Sequence, residues 1–379
     1  MSRSSSQKKS REHDQQHAVR EPSVMLGDLI EELIWPRVLR APALALSPNR
    51  LVSGCVGFFL ITIVVRLFQL FRGDTAQNNE SIPILDSLGD LGYRALDSLW
   101  SLDPSSLFSV IIETATMLRD TVMHNPVISS GLGIPIVLIL SLTGGAISRS
   151  AAFEFAQGRI ATREETLHFT LQRTWQFLLA VIAPIAFSVI IFLLIALGGL
   201  LLSVPVVDIF GALLYGIGLV LGIIATLVLL LHVIASPIII PALATEGTDA
   251  FDAIQRCYAY VVGRPLRYLI YVFILTLMGA FAAAIFAMIA QVSIEMTDWA
   301  ATFFANDATD RVLTGQGELG ATKSLANNIV EFWHGIVEIL IAGYLISLFF
   351  TSSTLLYLAV RRICDGQGIS EIWEPTDHA

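Results

Sequence analysis

The stretch "NNIVEFWHGIVEILIAGYL", residues 327–345, carries Glu331, His334 and Glu338. Spaced i, i+3 and i+7, these three share one face of a helix. Two carboxylates and an imidazole so placed can hold a cation or pass on a proton. An ionisable side chain in an apolar helix is a functional candidate by default. A metal site in a helical bundle also takes ligands from facing helices, and the sequence names no segment that must supply them. A plainer reading sends Glu331 and His334 past the apolar run into water and leaves Glu338 as the immersed acid.

A second set is basic. Arg173, Arg256, Arg264 and Arg267 stand in or beside two short polar connections. A guanidinium offers five donors in a fork that matches phosphate oxygens, so these four are expected at lipid headgroups, as ligand contacts or as simple anchors. His232 reads as a hydrogen-bonded bundle residue. No GxxxxGK[ST] loop, HExxH pair, GxSxG elbow or cysteine pair occurs. Cys55, Cys257 and Cys364 lie far apart and read as packing residues. No catalytic residue, cofactor or metal ligand is therefore expected.

The elements that would position these groups are membrane helices. Of 379 residues, 54% are hydrophobic and only 15% charged, against about 25% charge in a soluble chain. Mean hydropathy is +0.69. A span needs about twenty apolar residues, and six stretches qualify: 51–71, 127–147, 177–203, 209–235, 267–292 and 334–360. The first contains Arg66, which can snorkel. The fourth contains Gly218 and Gly222, a spacing that permits close helix approach. Residues 1–24 are polar and read as a disordered cytoplasmic tail with no secretory signal. Residues 25–50 read as an interfacial segment, with Leu26, Leu29, Ile30 and Leu33 on one face and Arg37, Arg40 and Arg50 toward phosphates. The expected domain is then 51–362, with external segments 73–126 and 293–333 and a cytoplasmic tail 363–379. The external "DPSSLFSVIIETATMLRDTVMHNP" is expected to form a helix resting on the outer face.

Arginine bias sets orientation. Arg149, Arg159, Arg163, Arg173, Arg256, Arg264, Arg361 and Arg362 fall on one side of a six-span topology, while the opposite connections are acidic. Both termini are accordingly expected in the cytosol, and the membrane is expected to be a bacterial cytoplasmic one.

Two amphipathic helices are expected on that basic side. In the first, Thr162 and Glu165 make a capping-box pattern, with Leu167, Leu171, Trp175 and Leu178 on one face. In the second, Thr248 is the expected N-cap, Phe251, Ile254, Tyr258 and Val261 share a face, and Gly263 and Pro265 end one helix and start the next. Pro237 and Pro241 are expected to break or bend the preceding span. Aligning "TLQRTWQFL" with "AIQRCYAYV" pairs Gln172 with Gln255, Arg173 with Arg256 and Trp175 with Tyr258, which suggests that span, surface helix and span occur twice.

The run "PIIIPALATEGTDAFDAIQRCYAYVVGRPLRYLIY" resembles a motif of poorly characterised bacterial multi-span families. These are similar to the membrane domain that precedes some glycerophosphodiester phosphodiesterases, and to related domains of unknown function. The resemblance covers about 35 residues closely and 148–362 loosely. It implies the topology and no activity, because the catalytic barrel of those enzymes has no counterpart here. The expectation is an all-α polytopic bundle acting as a non-enzymatic membrane scaffold or accessory protein. The alternatives are a small-solute transporter or channel and, third, a membrane-embedded lipid-modifying enzyme. Membrane lipids and protein partners at the surface helices are the expected contacts, with no nucleic acid.

Overall fold

The computed structural model describes residues 38–72, 126–203, 205–303 and 321–374, with isolated positions between 94 and 120 and at 312. The readings of residues 1–24 and of the Leu26–Leu33 face fall outside the described residues. So does most of segment 73–126, where the described positions 105–106, 109–110, 112–114 and 116–117 are helical. In chain order the helices are α1 (Ala41–Ala45), α2 (Pro48–Arg72), α3 (Pro126–Gln157), α4 (Arg163–Gln172) and α5 (Thr174–Leu201). There follow α6 (Asp208–Glu246), α7 (Ala250–Gly263), α8 (Pro265–Thr302) and α9 (Ala321–Asp365). No strand occurs among the described residues. Helices α2, α3, α5, α6, α8 and α9 are long and apolar enough to cross a membrane. The fold is an all-α polytopic bundle.

Local chemistry explains three of the helix ends. Thr162 caps α4 by accepting from the Glu165 amide, and Asp249 caps α7 by accepting from the Asp252 amide. Thr248, the expected cap, lies one residue too early. The α6 helix does not break at its prolines but runs 39 residues through both Pro237 and Pro241. A proline leaves the carbonyl four residues back without its amide donor. Here the Ser236 hydroxyl supplies one instead, donating to the Val233 carbonyl at 2.9 Å. Such side-chain rescue is how apolar helices tolerate proline. The helix ends only at Gly247, whose φ of 60° is left-handed.

The bundle is built around α9. More than half of its apolar window is buried, far more than in any other span. Small residues let neighbours approach. A Cβ on Gly54 of α2 would lie 2.1 Å from the Gly343 carbonyl oxygen of α9, and one on Gly144 of α3 would lie 2.3 Å from the Phe350 ring. Gly145 is similarly tight against Phe177. Gly218 and Gly222 meet only Ile195, at 3.8 Å, an ordinary contact. Close backbone approach therefore sits at Gly54–Gly343 and not at the GxxxG pair.

The segment before the first span is not a surface ribbon over its described part. Ala41, Leu44 and Ala45 of α1 are buried, Ala45 packs with Ala283, Tyr344 and Leu348, and its carbonyl accepts from Ser347 at 2.7 Å. Arg50 is fully buried, donating to the Leu44 carbonyl and pairing with Glu154 at 2.9 Å. Its partners are protein groups, which replaces the expected phosphate contact. Burying this cation is tolerable because a carboxylate and a carbonyl neutralise and satisfy it.

Gly54→Ala and Gly343→Ala should each destabilise the solubilised protein by about 1–3 kcal/mol, the cost of overpacking a tight contact. Gly198→Ala, at a position with no atom near its Cβ, should stay within about 0.5 kcal/mol. Thermal unfolding in detergent distinguishes the two, and equal midpoints for all three would remove the close-approach argument.

Candidate functional site

Because the spans alternate in direction, the starts of α2, α5 and α8 meet the ends of α3, α6 and α9. Long-range contacts bring them together. The Asn49 amide donates to the Ala161 carbonyl, Arg163 donates to Asn49, and Arg149 donates to the Ala244 carbonyl at 3.0 Å. This arginine-bearing end holds the densest polar structure among the described residues, arranged as two linked clusters.

The first cluster centres on Glu246, the last residue of α6, whose side chain is 11% exposed. One carboxylate oxygen accepts from Arg361 at 2.7 Å and from the Tyr357 hydroxyl at 2.8 Å, and the other accepts from Arg256 at 3.0 Å. A carboxylate is unfavourable at the negative end of a helix, and the two guanidinium groups reverse that cost. Arg361 is 2% exposed and also donates to the carbonyls of Gly368 and Glu371, at 3.0 and 2.8 Å. Beside it the Tyr260 hydroxyl donates to Asp365. Burial, aided by that carboxylate, raises the Tyr260 phenol well above the ordinary tyrosine range. Burial likewise pushes Tyr258 up to about 12 and keeps the Cys257 thiol protonated. These are inert, neutral groups and not an activated nucleophile.

The second cluster alternates arginines and rings. Arg159 lies 4.2 Å from the Phe153 centroid, Arg149 lies 4.9 Å from Phe153 and 3.8 Å from Phe169, and Arg173 lies 5.2 Å from Phe169 and 4.8 Å from Trp373. Each ring face attracts a guanidinium. Glu165 pairs with Arg159 at 2.9 Å, holding its charge more tightly still, and Glu374 reaches Arg159 at 3.9 Å. Arg173 donates to the carbonyls of Gly247 and Thr248. The C-terminal segment covers this ladder: the Trp373 amide donates to the Thr245 carbonyl at 2.9 Å. Its indole sits against Gly247, where a Cβ would come within 2.6 Å. Glycine is required there twice over, for its φ and for the ring.

The expected site residues are distributed as follows. Arg173 and Arg256 make the internal contacts just described, while Arg264 and Arg267 are exposed at the α7–α8 junction. Glu331 accepts from Asn327 at 2.8 Å on its own helix, and His334 approaches Asp298 of α8 at 3.7 Å. Glu338 is exposed on the outside of α9. About twenty residues of helix back from Arg361 reach the neighbourhood of Ile341, which puts this acidic set at the far boundary. No group of three metal-ligating side chains converges among the described residues. His232 is buried against the edge of Tyr258. On α7 the buried face is Ala253, Ile254, Cys257, Tyr260 and Val261, with Phe251 exposed. On α4 the buried residues are Thr166, Phe169 and Thr170, while Leu167 and Leu171 face outward. Superposing the N-caps Thr162 and Asp249 sets Phe169, not Arg173, opposite Arg256. The twofold span–helix–span order holds, but that residue alignment is one helical turn out of step.

Sequence reasoning passed over Glu246, Tyr357 and Trp373, and used Arg149 only as a marker of orientation. A signal was present in Arg149 and Arg361, cations set against long apolar helices. A further cavity of about 350 Å³ opens between α8 and α9, lined by apolar groups including Leu275, Ala283, Leu348 and Phe349.

Six apolar helices, buried only in part within the bundle, define an integral membrane protein. Comparison with protein-family models, with curated proteins and with solved structures returns no match.

Glu246→Ala strands Arg361 without its carboxylate and should cost about 3–5 kcal/mol, as for other broken buried pairs. Glu371→Ala, on the tail, should cost under about 1 kcal/mol, and detergent melting curves compare them. The raised Tyr260 pKa carries a pH signature. Above about pH 10 the unfolded chain has released a proton that the folded chain keeps, so stability falls as pH rises. Tyr260→Phe should lose about 1 kcal/mol at pH 8 and show a shallower decline between pH 10 and 11.5. Parallel declines for both proteins would contradict the assignment.

Proposed function

We propose that this chain is a non-enzymatic integral membrane protein of scaffold or accessory type. In this reading its arginine-bearing end faces the cytosol of a bacterial cell. The observation that carries the proposal is the disposition of polar groups. Glu246, Arg361, Arg256, Arg50 and Glu154 gather at one end and are consumed in mutual pairing, and Tyr260 and Cys257 are held neutral. Groups locked in this way build and rigidify a platform; they leave no free acid–base pair to run a reaction. The cytosolic assignment rests on arginine bias. The likeness of residues 237–271 to the membrane domain ahead of glycerophosphodiester phosphodiesterases is part of the same proposal, carried by the motif itself.

The transport alternative has one specific point in its favour, the approach of His334 to Asp298 across α8 and α9. Against it, Glu338 faces outward and the α8–α9 cavity is apolar. Purification in mild detergent is expected to recover a stoichiometric protein partner, and reconstituted vesicles are expected to show no ion or solute flux above empty ones. Flux that Glu338→Gln or His334→Ala abolishes would overturn the scaffold reading in favour of transport. Cysteine labelling at positions 159 and 264 should report both on the cytosolic side.

A further inference from the structure

We propose that Arg149 and Arg173 form a phosphate-binding site that the protein's own C-terminal segment, Gly366–Glu374, occupies. Neither guanidinium has a carboxylate within ion-pair distance among the described residues. The two acids in this cluster, Glu165 and Glu374, both lie against Arg159. Arg149 is 1% exposed, and its Nε is enclosed with no hydrogen-bond partner. A buried guanidinium donor without a partner is costly and marks a place where an acceptor belongs. The hydroxyl of Thr248, whose carbonyl Arg173 holds, is enclosed without a partner as well. Two guanidinium groups with no ion-pair partner, stacked on the same Phe169 ring, each spend only one nitrogen on the carbonyls at the end of α6, and their remaining donors suit the oxygens of a tetrahedral anion.

The present occupant imitates such an anion poorly. The Trp373 carbonyl accepts from Arg149 at 3.3 Å, its indole covers Arg173, and Glu374 brings one negative charge to the edge of the cluster. The base of the segment is fixed, because buried Arg361 donates to the Gly368 and Glu371 carbonyls; its tip, Trp373 and Glu374, is tied by the Trp373 amide on Thr245 and by contacts at the surface. Gln157 reaches the Ser370 carbonyl at 3.4 Å and Glu374 at 3.2 Å, and both contacts are exposed. Gly366, at φ 69°, ends α9, and the part that can lift is the tip beyond Glu371. When the tip lifts, Glu374 leaves with it, and Arg149, Arg159 and Arg173 face a single acid, Glu165. The ligand class is a phosphate group, and the surroundings favour one carried by a lipid. Ile160, Leu171 and Trp175 on the flanking elements are 69%, 61% and 68% exposed. They offer apolar cover for acyl chains beside the arginines, with tryptophan at its usual interfacial depth.

The test uses the full chain in a neutral detergent and follows amide hydrogen exchange across the tip of this segment, where the Trp373 amide is tied to Thr245. Short-chain phosphatidic acid should accelerate exchange there at least about tenfold, as the phosphate displaces the tip, while short-chain phosphatidylcholine should not. Trp373→Ala should bind phosphatidic acid about tenfold more tightly than wild type, and Arg173→Gln should lose the response while keeping its melting temperature within a few degrees. Inorganic phosphate producing the same acceleration at similar concentration would keep the site and identify a free anion as ligand. No acceleration by either probe, together with no binding to Trp373→Ala, would overturn the proposal, as would an undiminished response in Arg173→Gln. None of these outcomes depends on whether the protein acts as a scaffold or a transporter.

Discussion

A buried helix C-terminus organises this molecule. The last carbonyls of any helix lack intrahelical donors, and in α6 they end inside the protein, where water cannot serve them. Ala244 takes Arg149, Thr245 takes the Trp373 amide, and Gly247 takes Arg173. Glu246 adds a carboxylate at the end of the helix dipole that least tolerates one. Two arginines and a tyrosine from α7 and α9 make that acid affordable. The arginines of this end are thus drawn inward to satisfy one terminus, and only part of the set is left for the membrane boundary.

That constraint propagates through the packing. For Arg361 to reach Glu246, α9 must run beside α6, and for Arg149 to reach Ala244, α3 must pack against both of them. Glycine at 54, 144, 145 and 343 then lets α2, α3, α5 and α9 close to backbone or ring contact. Packing of this kind is the main source of helix association where lipid competes equally for apolar surface. The short α1 packs against α8 and α9, which is why much of the described chain before the first span is buried and Arg50 is internal.

The same distribution shapes the functional reading. Charge is concentrated at one end, where much of it is paired; Arg149 and Arg173 are the inward-drawn arginines whose direct partners are carbonyls and rings. The Glu331–His334–Glu338 set of α9 stands toward the opposite end, linked among the described residues to Asn327 and Asp298.

The sequence by itself determined the all-α class, the six apolar helices and the clustering of arginines on alternate connections. It also determined local signals such as the Thr162 cap and the Pro265 start of α8. Hydropathy and helix caps are properties of neighbours within a few residues, so they can be read in one dimension. Only the tertiary structure decided that α6 continues through Pro237 and Pro241, that α9 is the central helix, and that Arg50, Arg149 and Arg361 are internal. The pairs responsible lie far apart in the chain: 95 residues separate Arg149 from Ala244, 115 separate Glu246 from Arg361, and 224 separate Arg149 from Trp373. No local pattern encodes such partners. An arginine beside an apolar run looks the same whether lipid phosphate, a carboxylate or a helix terminus will satisfy it, and three-dimensional proximity makes the choice.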